Sequence, residues 1–442
     1  MAKQFTIPEF YRSSVISLIK AGRRAADNRK RDLAPSIIDM GPVVFKLARH
    51  FGFCFGVENA IDIAYRALAE NPDARVYLLS EMIHNPQVNE NLRSRGVKFI
   101  LAPDGSQLIP FESLRSDDIV IVPAFGTTVE LFAKLEGLGI NPRSYDATCP
   151  FVEKVWKRAS QLGERGFTVI IHGKNTHEET RATFSHARLN APSLVILDMD
   201  EAQSLASYLR GERKLSEFAT EFSGRYSEGF NPELDLQRIG VVNQTTMLAT
   251  ETKAISDVLR SAMRERYGED QAGEHFADTR DTLCYATSEN QQSVHALVDA
   301  GGDLALVVGG YNSSNTSHLV ELCERRYPTF YIKDADEIIS RDQIRHLKLR
   351  HPQQQLTAIG SKGHPIQGDV VISNNWLPPR APNSDQPIEI LVTAGASCPD
   401  ALVEQVVLKI AQLFGVQERL SSQLATFNEM LAANSSAVSA HN

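Results

Sequence analysis

Asp146-Ala147-Thr148-Cys149-Pro150-Phe151 decides how this chain is read, because the chain carries two further copies of its pattern. They are Gly52-Phe53-Cys54-Phe55-Gly56-Val57 and Asp281-Thr282-Leu283-Cys284-Tyr285-Ala286. In each, a cysteine ends a short apolar or turn-like approach and opens a helical pattern. Val57, Ile61, Ala64 and Leu68 fall at helical spacing after Cys54, as do Val152, Val155, Ala159 and Leu162 after Cys149. Pro150 suits a first helical turn. After Cys284 the pattern predicts a polar turn over Thr287–Gln292, then Val294, Leu297 and Val298. A thiol at a helix N-terminus is biased toward thiolate, the form that binds iron or zinc, because backbone N–H groups and the helix dipole favour negative charge there.

The repeat continues beyond each cysteine. A first strand follows each helix: Val76–Leu79, Val169–Ile171 and Leu304–Val308. Each leads to a polar turn, with His84 and Asn85, with His177, Glu178 and Glu179, and with Asn312, Ser313, Ser314 and Asn315. Second strands are expected at Val97–Ile100, Leu194–Leu197 and Thr329–Ile332, and third strands at Ile119–Val122, Ile239–Val242 and Ile388–Val392. The turns Phe125–Thr128, Asn243–Thr246 and Ala394–Ser397 close the copies. Strands alternating with helices predict parallel sheets whose C-terminal loops build sites. The fold class is therefore α/β: three similar modules, in a pseudo-threefold trefoil if they meet about one axis. The segments read as an N-terminal extension (1–42), modules 43–148, 149–283 and 284–418, and a C-terminal tail (419–442).

Length and composition narrow the class. A chain of 442 residues, 42% hydrophobic and 23% charged, has the makings of several soluble globular domains. Its net charge of −8 gives no reason to expect nucleic acid. No apolar run approaches the roughly 20 residues of a membrane-spanning helix. Five cysteines spread through the chain do not look like a disulfide framework, which fits a reducing compartment such as the cytoplasm. Residues 1–34 hold eight Lys/Arg and three Asp/Glu against this acidic whole. They read as an extension packed on the first module or binding a partner, or as a transit segment that would direct the chain to a plastid stroma. Two polar stretches, about 205–237 and 338–387, read as insertions, the second as loop with little regular structure.

The cysteine spacings, 95 and 135 residues, exclude a local zinc knuckle. Singly, each cysteine reads as a small core hydrophobe; their matched context points to three thiolates converging on one centre. A cubane iron–sulfur cluster takes four cysteines, so three would leave one iron open to a substrate oxygen. Cys323 lies in a helical apolar pattern, and Cys398 after Ser397 is a candidate fourth ligand. No phosphate-cradling GxxxxGK loop or dinucleotide fingerprint is present, so a nucleotide is not indicated. His84, His177, Thr245, Ser313, Ser314, Asn315 and Ser397 could together donate many hydrogen bonds to a diphosphate. Glu179 reads as the proton-handling group, with Thr245 as a relay, and the alternative is a first-turn carboxylate favoured by the helix dipole.

These motifs, in this order over roughly residues 45–415, resemble the 4-hydroxy-3-methylbut-2-enyl diphosphate reductases, the last enzymes of the methylerythritol phosphate route to isoprenoids. The resemblance implies a 4Fe–4S cluster held by Cys54, Cys149 and Cys284, with Glu179 as proton source. It implies that His84, His177, Thr245, Ser313, Asn315 and Ser397 hold substrate, with Ser314 adjacent. The activity implied is reductive removal of the allylic hydroxyl, giving isopentenyl and dimethylallyl diphosphates. Pro123-Ala124-Phe125-Gly126 stands where many bacterial members carry a histidine. With the basic extension it looks like the cyanobacterial and plant branch, which implies a ferredoxin-type electron donor and a monomer or homodimer. Glu178 stands where the other branch has proline. A cluster-dependent dehydratase or quinolinate-synthase-like lyase, and a non-catalytic cluster-based sensor, are the readings that share this three-cysteine logic.

Overall fold

The three strand triplets become three parallel sheets with one shared order: the first strand lies at the centre, the second on one side, the third on the other. In the computed structural model, Val76–Leu78 lies between Lys98–Phe99 and Ile119–Ile121. Thr168–His172 lies between Ser193–Ile196 and Ile239–Asn243. Leu304–Val308 lies between Thr329–Ile332 and Ile388–Ala394. The central strands Thr168–His172 and Leu304–Val308 are buried at every position, because helices cover both faces of a parallel sheet. The structure describes residues 5–277, 282–350, 368–379, 386–420 and 424. They fall into two compact units. One comprises Met1–Cys54, His84–Pro86 and Ser288–Asn442, the other Phe55–Ile83 and Gln87–Thr287.

Each sheet gains a further strand or bridge that leads into the next cysteine. In the second sheet Phe276–Ala277 pairs in parallel with Ile239–Asn243, ahead of Cys284. In the first a parallel bridge joins Val122 to Asp146, ahead of Cys149. In the third the added strand is Val43–Leu47, parallel to Ile388–Ala394 and ahead of Cys54. The sequence reading opens the first module at residue 43, yet this strand completes the third module's sheet. Its side chains explain the choice: Val43, Phe45 and Leu47 are fully buried, and Ile388–Ala394 would otherwise present an unpaired apolar edge.

The N-terminal extension belongs to the same unit and packs both on the start of the first module, residues 43–54, and on elements of the third. Ser36–Asp39 pairs antiparallel with Val43–Leu47. Helix Ser14–Ala26 starts at Ser13, whose hydroxyl accepts the Ile16 N–H at 2.8 Å. It buries Ile16 and Ile19 and lies against helix Asp400–Leu413. Lys20 crosses that contact, reaching Asp400 at 2.7 Å and the Phe51 carbonyl at 2.8 Å.

Two expectations change, for 338–387 and for 287–292. The stretch 338–387 contains a regular ladder: Gln343–Leu349 and Gly368–Asn374 pair antiparallel and extend the third sheet to seven strands, while 351–367 and 380–385 lie outside the described residues. The stretch near 205–237 carries helices Met199–Arg210, Leu215–Glu221 and Pro232–Asp235, organised by buried Tyr208, Phe218 and Phe222. The polar turn expected at 287–292 is already helix, within Tyr285–Asp299. Thr287, Asn290 and Gln291 are buried on one side of that helix rather than forming a turn, with Asn290 and Gln291 each 4% exposed. The expected tail, 419–442, lies beyond the described residues after Leu420, apart from residue 424. Among the described residues no helix is long and apolar enough to cross a membrane.

Candidate active site

Within the second unit, Thr245 ties together the residues expected to do chemistry. Helix Glu178–Ala187 follows strand Thr168–His172 and is capped by His177, whose Nδ1 accepts the Glu179 N–H at 3.2 Å. The Glu179 carboxylate, 2% exposed, accepts the Thr245 backbone N–H at 2.6 Å and the Thr245 hydroxyl at 3.0 Å. The Thr245 carbonyl in turn accepts the Cys284 N–H at 3.3 Å. Gln244 locks the neighbouring turn through its Oε1, which accepts the Lys174 N–H at 3.1 Å and the Thr180 hydroxyl at 3.0 Å. Glu178 points elsewhere: its carboxylate takes the Ser80 hydroxyl and lines a separate cavity with Asp104, Thr127 and Arg181.

Cys149 and Cys284 each open a helix, Pro150–Glu164 and Tyr285–Asp299. The Cys149 N–H is held by the Ala124 carbonyl at 2.9 Å, which ties it to the Pro123–Gly126 turn. Gly126 has φ +72, and a Cβ there would meet the Trp156 ring at 2.4 Å, so the turn requires glycine. Phe125 sets its ring edge-on to His177, with centroids 5.7 Å apart. The Cys284 sulfur lies 3.0 Å from the Thr287 hydroxyl and accepts the Thr287 N–H at 3.3 Å. Thr287 was not singled out by the sequence reading; its signal is its place three residues into the helix, where a cap interaction falls.

The helix termini do not by themselves make these cysteines thiolates. Burial, then the nearby Cys284 and Glu179, push the Cys149 thiol up to about 11. Burial also pushes Cys284 up, against the opposing hydrogen bonds from Thr287. Desolvation and like charge outweigh the helix dipole. Thiols desolvated in this way ionise readily beside a strong positive charge, which is what a metal centre supplies.

Within the first unit a second set gathers. The Cys54 N–H donates to the Ala396 carbonyl at 3.2 Å. Asn315 Oδ1 accepts the Ala396 N–H at 2.9 Å, and Asn315 Nδ2 is buried with no hydrogen-bond partner. The Ser397 hydroxyl donates to the His84 carbonyl at 3.2 Å, and the Ser397 carbonyl accepts Asn85 Nδ2 at 2.9 Å. A Cβ on Gly310 would lie 2.4 Å from the His84 carbonyl oxygen, so this close approach also requires glycine. Ser313 caps helix Ser314–Glu324, accepting the Thr316 N–H at 3.2 Å, and Ser314 is buried at its first turn. His84, Ser313, Asn315, Ser397 and Cys54 thus belong to one unit; His177, Glu179, Thr245, Cys149 and Cys284 belong to the other.

The five cysteines divide by exposure. Cys54, Cys149 and Cys284 are partly exposed, whereas Cys323 and Cys398 are buried. Burial raises the Cys398 thiol strongly, with Asp400 adding to the effect, which suits a core thiol. Among the described residues no three His, Cys, Asp or Glu side chains are gathered to hold one metal ion. Within the second unit, Cys149 and Cys284 are part-exposed thiols at helix starts, a donor type that suits iron.

Known proteins resemble this chain over most of its length. The sequence profile of the family described as LytB protein matches residues 45–411. The chain is 38% identical to the 4-hydroxy-3-methylbut-2-enyl diphosphate reductase of Acaryochloris marina over 84% of this chain and 85% of that one. It is 39% identical to the protein of that name from Thermosynechococcus vestitus, covering 85% and 86%. It is 37% identical to that of Synechococcus sp. (strain CC9605), covering 92% of each. The solved structure of the E-1-hydroxy-2-methyl-but-2-enyl-4-diphosphate reductase from Plasmodium falciparum shares the fold. It has a TM-score of 0.56 at 19% identity, covering 83% of this chain and 87% of that one.

Proposed function

This chain belongs to the LytB family, and from that premise we propose that it reduces 4-hydroxy-3-methylbut-2-enyl diphosphate to isopentenyl and dimethylallyl diphosphates. Two electrons and two protons enter, the allylic C–O bond breaks, and the hydroxyl leaves as water. A 4Fe–4S cluster on Cys54, Cys149 and Cys284 supplies, when bound, electrons and a Lewis-acid site for the hydroxyl oxygen. A ferredoxin-type protein provides the electrons from outside.

Glu179 delivers the proton to the leaving hydroxyl. The observation that carries this reading is its pairing with Thr245, which fixes both carboxylate oxygens while its own carbonyl holds the Cys284 N–H. The acid is thereby positioned relative to a cysteine rather than merely capping a helix. His177 fixes the start of the same helix, and Phe125 packs on its ring. His84, Ser313, Asn315 and Ser397, with Ser314 adjacent, supply donors for the diphosphate. The buried unpartnered Nδ2 of Asn315 supports that role, since an orphaned donor is tolerated where a ligand completes it.

The test is anaerobic turnover of the cluster-loaded chain with this substrate, following oxidation of a reduced viologen and both products. Glu179→Gln is expected to lower kcat roughly 10²–10⁴-fold, the usual worth of a positioned acid, and Glu178→Gln to leave it within about tenfold. A fully loaded chain that oxidises no viologen with substrate present overturns the reading.

A further inference from the structure

The proposed reaction draws electrons from outside the chain, and the N-terminal segment has the surface to receive their carrier. Residues 1–34 carry eight Lys/Arg and three Asp/Glu, although the whole chain stands at −8. Glu9 pairs with Arg12, and Asp32 with Arg23. Arg24, Arg29 and Arg31 are exposed and form no ion pair among the described residues. This cationic surface is firmly seated. Lys20 is anchored on Asp400 and on the Phe51 carbonyl, and buried Arg49 donates to the Arg23 and Asp27 carbonyls at 3.3 and 3.4 Å, closing the end of the helix.

The same segment carries an aromatic series leading inward. Phe10 is 48% exposed. Its ring centroid lies 4.4 Å from that of Tyr11, which is 4% exposed, and Tyr11 lies edge-on to Phe53 at 5.7 Å. Phe53 immediately precedes Cys54. An electron's tunnelling rate falls steeply with distance, so a carrier docked over Phe10 has a short packed route to the Cys54 peptide.

We propose that the basic face of residues 9–31, with Phe10 at its apolar contact, is the docking site for an acidic protein electron donor. The inference rests on the reductase reading for its purpose. The charges argue the occupant: an acidic carrier is repelled by most of this acidic molecule and attracted to this face, which also orients it.

Calorimetric titration of the cluster-loaded full chain with an acidic 2Fe–2S ferredoxin, at low and high salt, tests the surface directly. The triple variant Arg24→Glu, Arg29→Glu, Arg31→Glu is expected to bind about tenfold or more weakly with a flattened salt dependence, while viologen-driven turnover and melting temperature stay at the parent's values. Phe10→Ala is expected to weaken ferredoxin binding several-fold, again sparing viologen-driven turnover. Unchanged affinity and salt dependence in the triple variant overturn the inference. So does a parent that ignores ferredoxin but is retained on phosphatidylglycerol vesicles, which would assign the face to a membrane surface. Loss of viologen-driven turnover in a loaded parent would instead strike the reductase reading, and the calorimetry would still decide the docking site.

Discussion

Adjacent glutamates on one helix turn meet different surroundings, and on that difference rests the role proposed for Glu179 alone. Glu179 is held by Thr245 and adds its charge to those near Cys149 and Cys284, whereas Glu178 turns to Ser80. The sequence reading favours Glu179, but residues i and i+1 on a helix face different directions and only the folded neighbours show what each side chain meets. Asn315 gives a second residue-scale test. Its Oδ1 is occupied by Ala396 and its Nδ2 is buried and unpaired, so the side chain is anchored on one side and open to a ligand on the other. Asn315→Ala is expected to raise KM about tenfold, the effect of one lost hydrogen bond of about 1.4 kcal/mol to a charged ligand, with a smaller change in kcat. Steady-state kinetics on the loaded chain decides it.

At the scale of elements, the loop before Cys54 is sensitive to acid. His50 sits beside Arg49 and Ser293, and burial holds it neutral, its pKa lowered to about 4 although Glu289 at 3.7 Å pulls the other way. The unfolded imidazole titrates near 6.5, so the unfolded chain binds more protons through this window. The stability His50 contributes is complete above about pH 6.5 and declines as pH falls toward 4. The protection factors of amides in helix Ser14–Ala26, after correction for the intrinsic pH dependence of exchange, should therefore fall between pH 6.5 and 5, and His50→Gln should flatten that dependence. The helical insertion near residues 205–237 combines a packed aromatic core with polar contacts to Glu221, from the Tyr208 hydroxyl at 2.8 Å and Arg213 at 2.7 Å. Phe218 is 1% exposed against Tyr208 and Phe222. Phe218→Ala is expected to destabilise the chain by about 3–5 kcal/mol, read by denaturant unfolding, with kcat of the folded fraction unchanged.

At the scale of the whole molecule, the third module is built from both ends of the chain. Its sheet runs from Ser36–Asp39 and Val43–Leu47 into Ile388–Ala394 and Leu304–Val308. A fragment spanning 284–442 should lack native melting behaviour alone and regain it when co-expressed with residues 1–54, a result that calorimetry or circular dichroism can read. The three-copy rhythm of cysteine helix and three strands was legible because it is local: helical and strand periods and polar turns repeat in the residues themselves, and Cys149, Glu179 and Thr245 stand out within it. Parallel sheets followed from the alternation of strands and helices, whereas the shared strand order came from the fold. The destination of Val43–Leu47, the seat of the extension on helix Asp400–Leu413, and the ladder Gln343–Leu349 with Gly368–Asn374 were not legible. Each depends on which apolar edge or face, hundreds of residues away or across a long insertion, is left to be covered. The surroundings of Cys149 and Cys284 were not legible for the same reason. A sequence shows that a thiol begins a helix, but burial and the charges around it are properties of the folded neighbourhood, and these outweigh the helix dipole.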